Sequence, residues 1–488
     1  MQLTLKNLGP IKTGEIDLSK RFYVFVGYNN SGKTYVSQLI WAIFNEKIIK
    51  KFSQSAYFTE LVITENDRFE ITQGLIDDIF HKFANYLKTE VVPNLFNVSR
   101  DHLILEDFSV EFSIKKEEIR NFTHKVAVQL QVENSNKETA INRLFISKEK
   151  DSFFVTFEEK KVSEILDGFL EKGLSAFNPK STKVSFLVMF VLNLILNKTH
   201  EPFFLPSNRM IYLVFYHYLY SVETEKRERI SKIFGQLLEK KERGEDFNSE
   251  SLSIEALKSF YTEPTKQLFD RINGLNENAK IHTHYEHLML ELAKIIGGDI
   301  IMHKSLGIAP LEFYLKMPQK DDELEMYLSS SSVNQLNTLY LYLKYWAEEK
   351  NNFLLIDEPE ENLHPKHQLA LLNVLLSYAN ENNNRVLITT HSPILADMVN
   401  NYHYMAFLKA KQIPLNFLHE KYADINLDIN LSIEEMGIYF FDGEQIHKYE
   451  MGDYGVFFED FYYEIKKTKD ISELLTDQIY ELRNEEGE

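Results

Sequence analysis

Apolar and polar positions alternate over residues 3–8 and 14–18, with Gly9-Pro10 opening the connection, so the start of the chain predicts a two-stranded hairpin. Residues 21–26, RFYVFV, are continuously apolar after the arginine, as a strand buried on both faces would be, and the run ends at Gly27. From Ser31 onward, TYVSQLIWAIF carries apolar residues at helical spacing. A similar rhythm returns late in the chain. Residues 326–332 lead into an apolar helix at 333–346, and 353–356 is a buried strand ending at Asp357-Glu358. A helix at 368–378 and a strand at 385–389, ending near His391, complete the set. Strands alternating with helices predict a mostly parallel α/β sheet. Between these two regions, 55–100 reads as helical and 103–114 and 144–157 as strands. Residues 221–300 read as charged and helical, with the polar patch 244–253 (GEDFNSESLS) as a flexible excursion. No internal repeat and no sustained heptad run appear, which argues against a long coiled-coil arm. The tail alternates briefly at 437–441 and ends in an acidic helix at 471–488.

Composition narrows this picture. A chain of 488 residues exceeds the usual limit of one compact core, so a large domain with an insertion, or two domains, is expected. The absence of cysteine excludes disulfides and thiolate metal sites and fits a reducing cytosol. The opening MQLTLKNLGP lacks the basic-then-apolar pattern of a signal peptide. The longest apolar run, 184–196, is broken by Asn193 and is too short to span a bilayer. A cytoplasmic protein without a membrane segment is the expectation. The net charge of −19 speaks against a dedicated nucleic-acid binder, although a local basic groove is compatible with it.

Residues 27–34, GYNNSGKT, match G-x-x-x-x-G-K-[ST] without a mismatch and sit between a buried strand and an amphipathic helix. The glycines let backbone N–H groups turn inward around phosphates; Lys33 would reach the β- and γ-phosphates and Thr34 would offer its hydroxyl to Mg²⁺. Asp357 at the end of a buried strand suits the Mg²⁺ shell, and the adjacent Glu358 is placed to polarise an attacking water. His391, in ITTHSP, follows Glu358 by 33 residues and is read either as a contact to the γ-phosphate or water, or as a structural strand cap. In the stretch 281–287, IHTHYEH, His284 and His287 would share a helix face with His282 just before it, giving a metal site or simply a histidine-rich helix start.

Taken together and in this order, VFVGYNNSGKT, LLIDEPEENLHP and ITTHSP resemble the ABC-type ATPase family that includes the RecF, SMC and OLD proteins. NLGPIKTGEIDL resembles the hairpin that precedes the phosphate loop in that family, and the likeness covers roughly residues 1–50 and 326–400. The resemblance implies an α/β, ABC-type P-loop ATPase head with a mixed β-sheet and a helical insertion. Its core would be split between 1–50 and 301–488 with a C-terminal helix, around a β/α lobe at 51–220 and an insertion at 221–300. It implies ATP and Mg²⁺ as cofactors, with Gly27, Asn29, Asn30, Ser31, Gly32, Lys33 and Thr34 on the nucleotide and Thr34 and Asp357 on the metal. Glu358 would be the catalytic base, assisted by Lys33 and His391, and residues 361–365 would form the loop that reaches across a dimer. The family's signature, typically LSSG, falls on Leu328-Ser329-Ser330-Ser331-Ser332, where serine replaces the glycine. Ser330 and Ser331, at a helix N-terminus, would then bind the nucleotide of a second protomer. In Phe204-Leu-Pro-Ser-Asn-Arg209, similar ATPases place the arginine towards the nucleotide or an interface; a surface arginine after a turn is the alternative. The family's Q-loop glutamine has Gln129 and Gln131 as candidates.

OLD-type proteins carry a TOPRIM nuclease after the head. The 97 residues beyond His391 lack its paired aspartates, since Asp424 and Asp428 have the wrong spacing, so a nuclease within this chain is not expected. A stand-alone ATPase of this kind resembles the ATPase components of the PARIS and Septu anti-phage systems. That resemblance implies a homo-oligomer with head-to-tail contacts that controls a separate TOPRIM or HNH effector nuclease, with nucleic acid or a phage protein as trigger and no membrane partner. The alternative is a DNA-repair or chromosome-maintenance ATPase of RecF/SMC type acting directly on DNA. A third reading is a scaffold that senses ATP without hydrolysing it.

Overall fold

A computed structural model describes residues 1–55, 68–114, 127–133, 139–149, 152–157, 179–196, 200–225, 228, 261–304, 311–318, 322–449 and 456–486, apart from positions 217, 223, 277, 423, 424 and 457. The polar patch 244–253 and Asp424 lie outside these residues.

The hairpin expected at the start is β1 (Gln2–Leu8) and β2 (Ile11–Asp17), paired antiparallel from Gln2–Asp17 to Leu8–Ile11. The continuously apolar segment is β3 (Phe22–Gly27), and all six of its residues are buried. Its pleat explains why the alternation vanishes. Phe22, Val24 and Val26 face one core, while Tyr23 and Phe25 face another on the opposite side of the sheet. β13 (Phe353–Asp357) and β14 (Arg385–Thr390) split their side chains in the same way. These strands lie in a nine-stranded mixed sheet that also takes β5 (Ser109–Ser113), β9 (Phe203–Leu205), β15 (Met436–Phe441) and β16 (Gln445–Lys448); its order is β5-β1-β2-β16-β15-β3-β14-β13-β9. β15, β3, β14, β13 and β9 run parallel, and β5, β1 and β2 form an antiparallel edge. The 437–441 segment is therefore part of the centre of the sheet. The helix Lys33–Phe44 covers one face, whereas Ser331–Leu341, Pro365–Asn380 and Pro393–Ala410 cover the other.

Some local expectations change. Residues 103–114 do not form one strand, because Leu103–Leu105 is a 3₁₀ turn in which the His102 side chain accepts from the Ile104 amide. Residues 144–157 fall on two paired strands, β7 (Thr139–Glu149) and β8 (Ser152–Phe157). With β4 (Arg68–Ile71) and β6 (Ala127–Glu133) these form a separate four-stranded sheet, so Gln129 and Gln131, on β6, do not lie in the sheet that bears the phosphate loop. A third sheet comprises β10 (Asp299–Lys304), β11 (Leu311–Lys316) and β12 (Glu323–Glu325). The C-terminal helix begins already at Glu459 and runs to Glu486. No helix among the described residues is long and apolar enough to cross a membrane.

A buried polar network sets the register of the two strands whose far ends carry the acidic and histidine motifs. Asn352 and Asn384 immediately precede β13 and β14 and are almost inaccessible. The Asn352 amide and side chain donate to Asn384 Oδ1 at 3.0 and 2.9 Å, and Asn384 Nδ2 donates to the Tyr285 hydroxyl at 2.8 Å. Truncating Asn384 would strand several buried partners at once. Asn384→Ala is expected to destabilise the fold by about 3 kcal/mol, seen as a lower denaturant midpoint at unchanged slope.

Candidate functional site: a phosphate loop facing an acidic strand end

The loop after β3 can close only because two of its residues lack a side chain. Gly27 has φ 144, and a Cβ there would stand 2.1 Å from the Phe441 carbonyl oxygen of the neighbouring strand. Gly32 has φ 91, and its Cβ would meet Ile11 Cδ1 at 2.6 Å. Asn30 also adopts a left-handed conformation, at φ 59. Asn29 and Asn30 are exposed at the tip, Ser31 and Lys33 are buried, and Thr34 is open to solvent. The helix that follows has no acidic residue in its first turn, so the positive end of its dipole faces the loop uncompensated. The Lys33 ammonium lies across the loop, donating to the carbonyls of Gly27 (3.1 Å) and Tyr28 (2.7 Å) and to Ser31 Oγ (3.3 Å).

β13 delivers the acidic residues beside this loop. Thr34 Oγ1 donates to Asp357 Oδ2 at 2.8 Å, and Thr389 on the adjacent strand donates to Asp357 Oδ1. Burial pushes the Asp357 carboxyl above the usual range despite these bonds. A divalent cation would reverse that, and a hydroxyl next to a buried carboxylate is the hard-oxygen pair such a cation takes, so the residues present fit Mg²⁺. At Glu358 the backbone leaves the strand with φ 46, a left-handed conformation that costs about 1–2 kcal/mol in a non-glycine residue. The Glu358 amide is held by both the carbonyl and the hydroxyl of Thr389, each at 3.1 Å. The turn aims the carboxylate at His391, whose Nε2 lies 3.0 Å from Oε1. The hydrogen bond from His391 holds Glu358 below the ordinary carboxylate range and so keeps it ionised.

Sequence reasoning missed Glu360. This buried carboxylate accepts from Thr390 Oγ1 (2.5 Å) and from the amides of His391 (2.9 Å) and Ser392 (3.2 Å), fixing the turn on which His391 sits. In an acidic run, DEPEE, nothing in the chain's pattern separates it from its solvated neighbours. Arg209 is not a surface arginine, since it is 1% exposed. Its Nε donates to the Gln335 carbonyl (2.9 Å), and Nη1 donates to the carbonyls of Pro206 (3.0 Å) and Asp357 (2.8 Å). Nη2 donates to the carbonyls of Glu358 and Pro359, both at 3.3 Å. Burial lowers the guanidinium to about 10, which leaves it charged at neutral pH.

The structure thus brings Lys33, Thr34, Asp357, Glu358 and His391 together. Ser330 and Ser331 stand on a different element: Ser330 caps the helix Ser331–Leu341, accepting from the Val333 amide at 3.4 Å, and both serines are exposed. Gln335, further along that helix, donates to the Ser207 carbonyl (2.9 Å) and to Glu361 Oε2 (3.1 Å). The histidines at 282–287 diverge. His282 Nδ1 meets the Ala347 carbonyl at 2.7 Å and His287 Nε2 meets Glu381 at 2.8 Å. Among the described residues no group of three or more His, Cys, Asp or Glu is placed to hold a metal ion.

A phosphate loop at the tip of a buried parallel strand, with a hydroxyl–carboxylate pair and an ionised glutamate beside it, defines a P-loop nucleotide site on a mixed α/β sheet. The family model for the AAA ATPase domain matches residues 1–396, and the chain belongs to that family. No curated protein matches the sequence. Among solved structures, the Smc head bound to the C-winged helix domain of ScpA is 12% identical at TM-score 0.34, covering 92% of this chain and 96% of that one. The Smc head with an extended coiled coil bound to the C-terminal domain of ScpA, derived from Pyrococcus furiosus, is 12% identical at TM-score 0.32, covering 96% and 98%. The SMC head domain from Thermotoga maritima is 11% identical at TM-score 0.28, covering 92% and 98%.

Burial lowers Lys33 to about 8, opposed by the nearby Glu358, Asp357 and Glu360. Above that pH the side chain is neutral, and binding phosphate must restore its proton. ATP affinity is therefore expected to fall by about tenfold per pH unit above about pH 8, and to fall much less in Lys33→Arg, as read by ligand titration across that range.

Proposed function

We propose that this chain binds ATP with Mg²⁺ at residues 27–34 and Asp357, hydrolyses it slowly, and serves as the switch subunit of an anti-phage system that controls a separate effector nuclease. The observation that carries the ATPase reading is the pairing of Thr34 with Asp357 at 2.8 Å and of Glu358 with His391 at 3.0 Å beside one phosphate loop. Thr34 and Asp357 would hold the cation, which neutralises phosphate charge when bound. Lys33 would leave the loop carbonyls for the phosphates, and the loop amides would cradle them. Glu358, held ionised, accepts a proton from the attacking water, while His391 Nε2 fixes the orientation of its carboxylate. The water oxygen bonds to the γ-phosphorus as the bond to the bridging β–γ oxygen breaks, giving ADP and phosphate. The exposed serines 330 and 331 would supply the second half of the site to a neighbouring protomer, which makes the active form a head-to-tail homo-oligomer. The effector role rests on the sequence resemblance to two-gene defence ATPases, and the net charge of −19 weighs against the chain acting directly on DNA.

Lys33→Ala is expected to abolish ATP binding, whereas Glu358→Gln keeps binding and lowers kcat by at least about 100-fold. Undiminished steady-state hydrolysis in Glu358→Gln would remove Glu358 from the catalytic role. Mixing inactive Lys33→Ala with inactive Ser331→Arg should restore turnover, because one of the two sites in a mixed dimer is intact; no restoration argues against sharing of the site between protomers. Strong stimulation of ATP turnover by duplex DNA, falling steeply with salt, would favour the direct DNA reading over the effector reading.

A further inference from the structure

Arg209 has no part in the hydrolysis scheme, yet it is a fully buried cation that donates five hydrogen bonds to carbonyl oxygens. Three of those carbonyls, on Asp357, Glu358 and Pro359, form the turn that presents the Glu358 carboxylate. A fourth belongs to Gln335 in the helix that the exposed serines begin. Gln335 is itself inaccessible to solvent, and its side chain makes a second tie to the same turn through Glu361. Both routes between helix and turn therefore pass through Gln335, about one helical turn from Ser331. We infer that Arg209 is a positioning residue that couples the helix Ser331–Leu341 to Glu358, so that a partner protomer's nucleotide engaging the serines in one site sets the geometry of attack in the other.

The chemistry of arginine suits this role. A planar guanidinium spans carbonyls on two elements at once and holds them at fixed angles, whereas an ammonium offers three donors around a point charge. Glu358 is also the residue whose placement is most sensitive to such support. Its left-handed conformation, φ 46, is held by Thr389 at the amide and by Arg209 at the carbonyl. A displacement of Gln335 shifts the carbonyl side of that grip, and the backbone at Glu358 has a less strained conformation to relax into. Coupling between sites then appears as cooperativity in ATP, with the helix as the element that both sites bias.

The inference rests on the proposal that serines 330 and 331 meet a partner's nucleotide, and its test separates the two. Arg209→Lys and Gln335→Met are made in the full chain and compared with wild type in ATP turnover, in binding of a non-hydrolysable ATP analogue, and in melting temperature. Folded variants with analogue affinity within about twofold of wild type, kcat lowered about ten- to hundredfold, and cooperativity lost would bear the coupling out. Wild-type kcat and cooperativity in both variants would overturn it. So would affinity and kcat falling in parallel with melting temperature, which marks a purely structural role. If the wild type itself turns over no ATP, the hydrolysis reading fails alone, and analogue binding decides the coupling. Cooperative binding in wild type that becomes non-cooperative in Arg209→Lys sustains it, and identical binding curves overturn it. Failure of the Lys33→Ala and Ser331→Arg mixture to regain activity would instead remove the trans site while leaving the positioning effect within one protomer to be read from kcat.

Discussion

Four carboxyl groups, on Asp357, Glu358, Glu360 and Glu361, crowd the turn that leaves β13, and two of them are buried. Their mutual repulsion and lost hydration would open the turn if no positive charge were fixed among them. Arg209 supplies that charge without being consumed by any one carboxylate, because its donors are committed to backbone carbonyls. Each acid is thereby left to a partner of its own. Asp357 takes the threonine hydroxyls, Glu358 takes His391, Glu360 takes the amides of the next turn, and Glu361 takes Gln335. Had the guanidinium closed on Glu358 or Asp357 as a bidentate ion pair, it would have drawn that carboxylate away from the His391 ring or the threonine hydroxyls it now meets.

What the sequence made legible follows from how locally each feature is determined. GYNNSGKT demands left-handed glycines and a lysine at fixed spacing, all within eight residues, so its place between β3 and a helix could be read directly. Fully apolar runs such as FLLI and VLI likewise announce strands covered on both faces. Arg209 was not legible in the same way. Whether an arginine after a turn is solvated or buried depends on carbonyls more than 120 residues away, and the pattern around it is that of an ordinary surface turn. Glu360 was hidden for a related reason, since an acid beside three others reads as solvated unless the amides at 391 and 392 are known to converge on it. The 3₁₀ turn at Leu103–Leu105 defeated strand periodicity because one histidine side chain satisfied the backbone locally.

The sheet then explains why two motifs distant in sequence meet with hydrogen-bond accuracy. β13 and β14 pair in parallel from Phe353–Arg385 to Asp357–Thr389, so their chain directions agree and their C-terminal ends emerge side by side. Their N-terminal ends are locked by Asn352 and Asn384, which leaves no freedom to slip by the one residue that would turn Asp357 away from Thr34. β3 pairs with β14 on its other side, and this brings the phosphate loop to the same edge. Register, set at one end of the strands by two buried asparagines, fixes chemistry at the other.

Strain completes that logic. A strand that simply continued past Asp357 would send successive side chains to opposite faces, and Glu358 would point away from the one that holds Asp357. The left-handed φ at Glu358 breaks the alternation and brings a second carboxylate to the same edge, at a conformational cost that the bonds from its amide to Thr389 and from Arg209 to its carbonyl offset. The Glu358 backbone is thus held by two neighbouring elements rather than by its own strand. A turn built in this way responds to movement in those elements, because the orientation of the Glu358 carboxylate is borrowed from them.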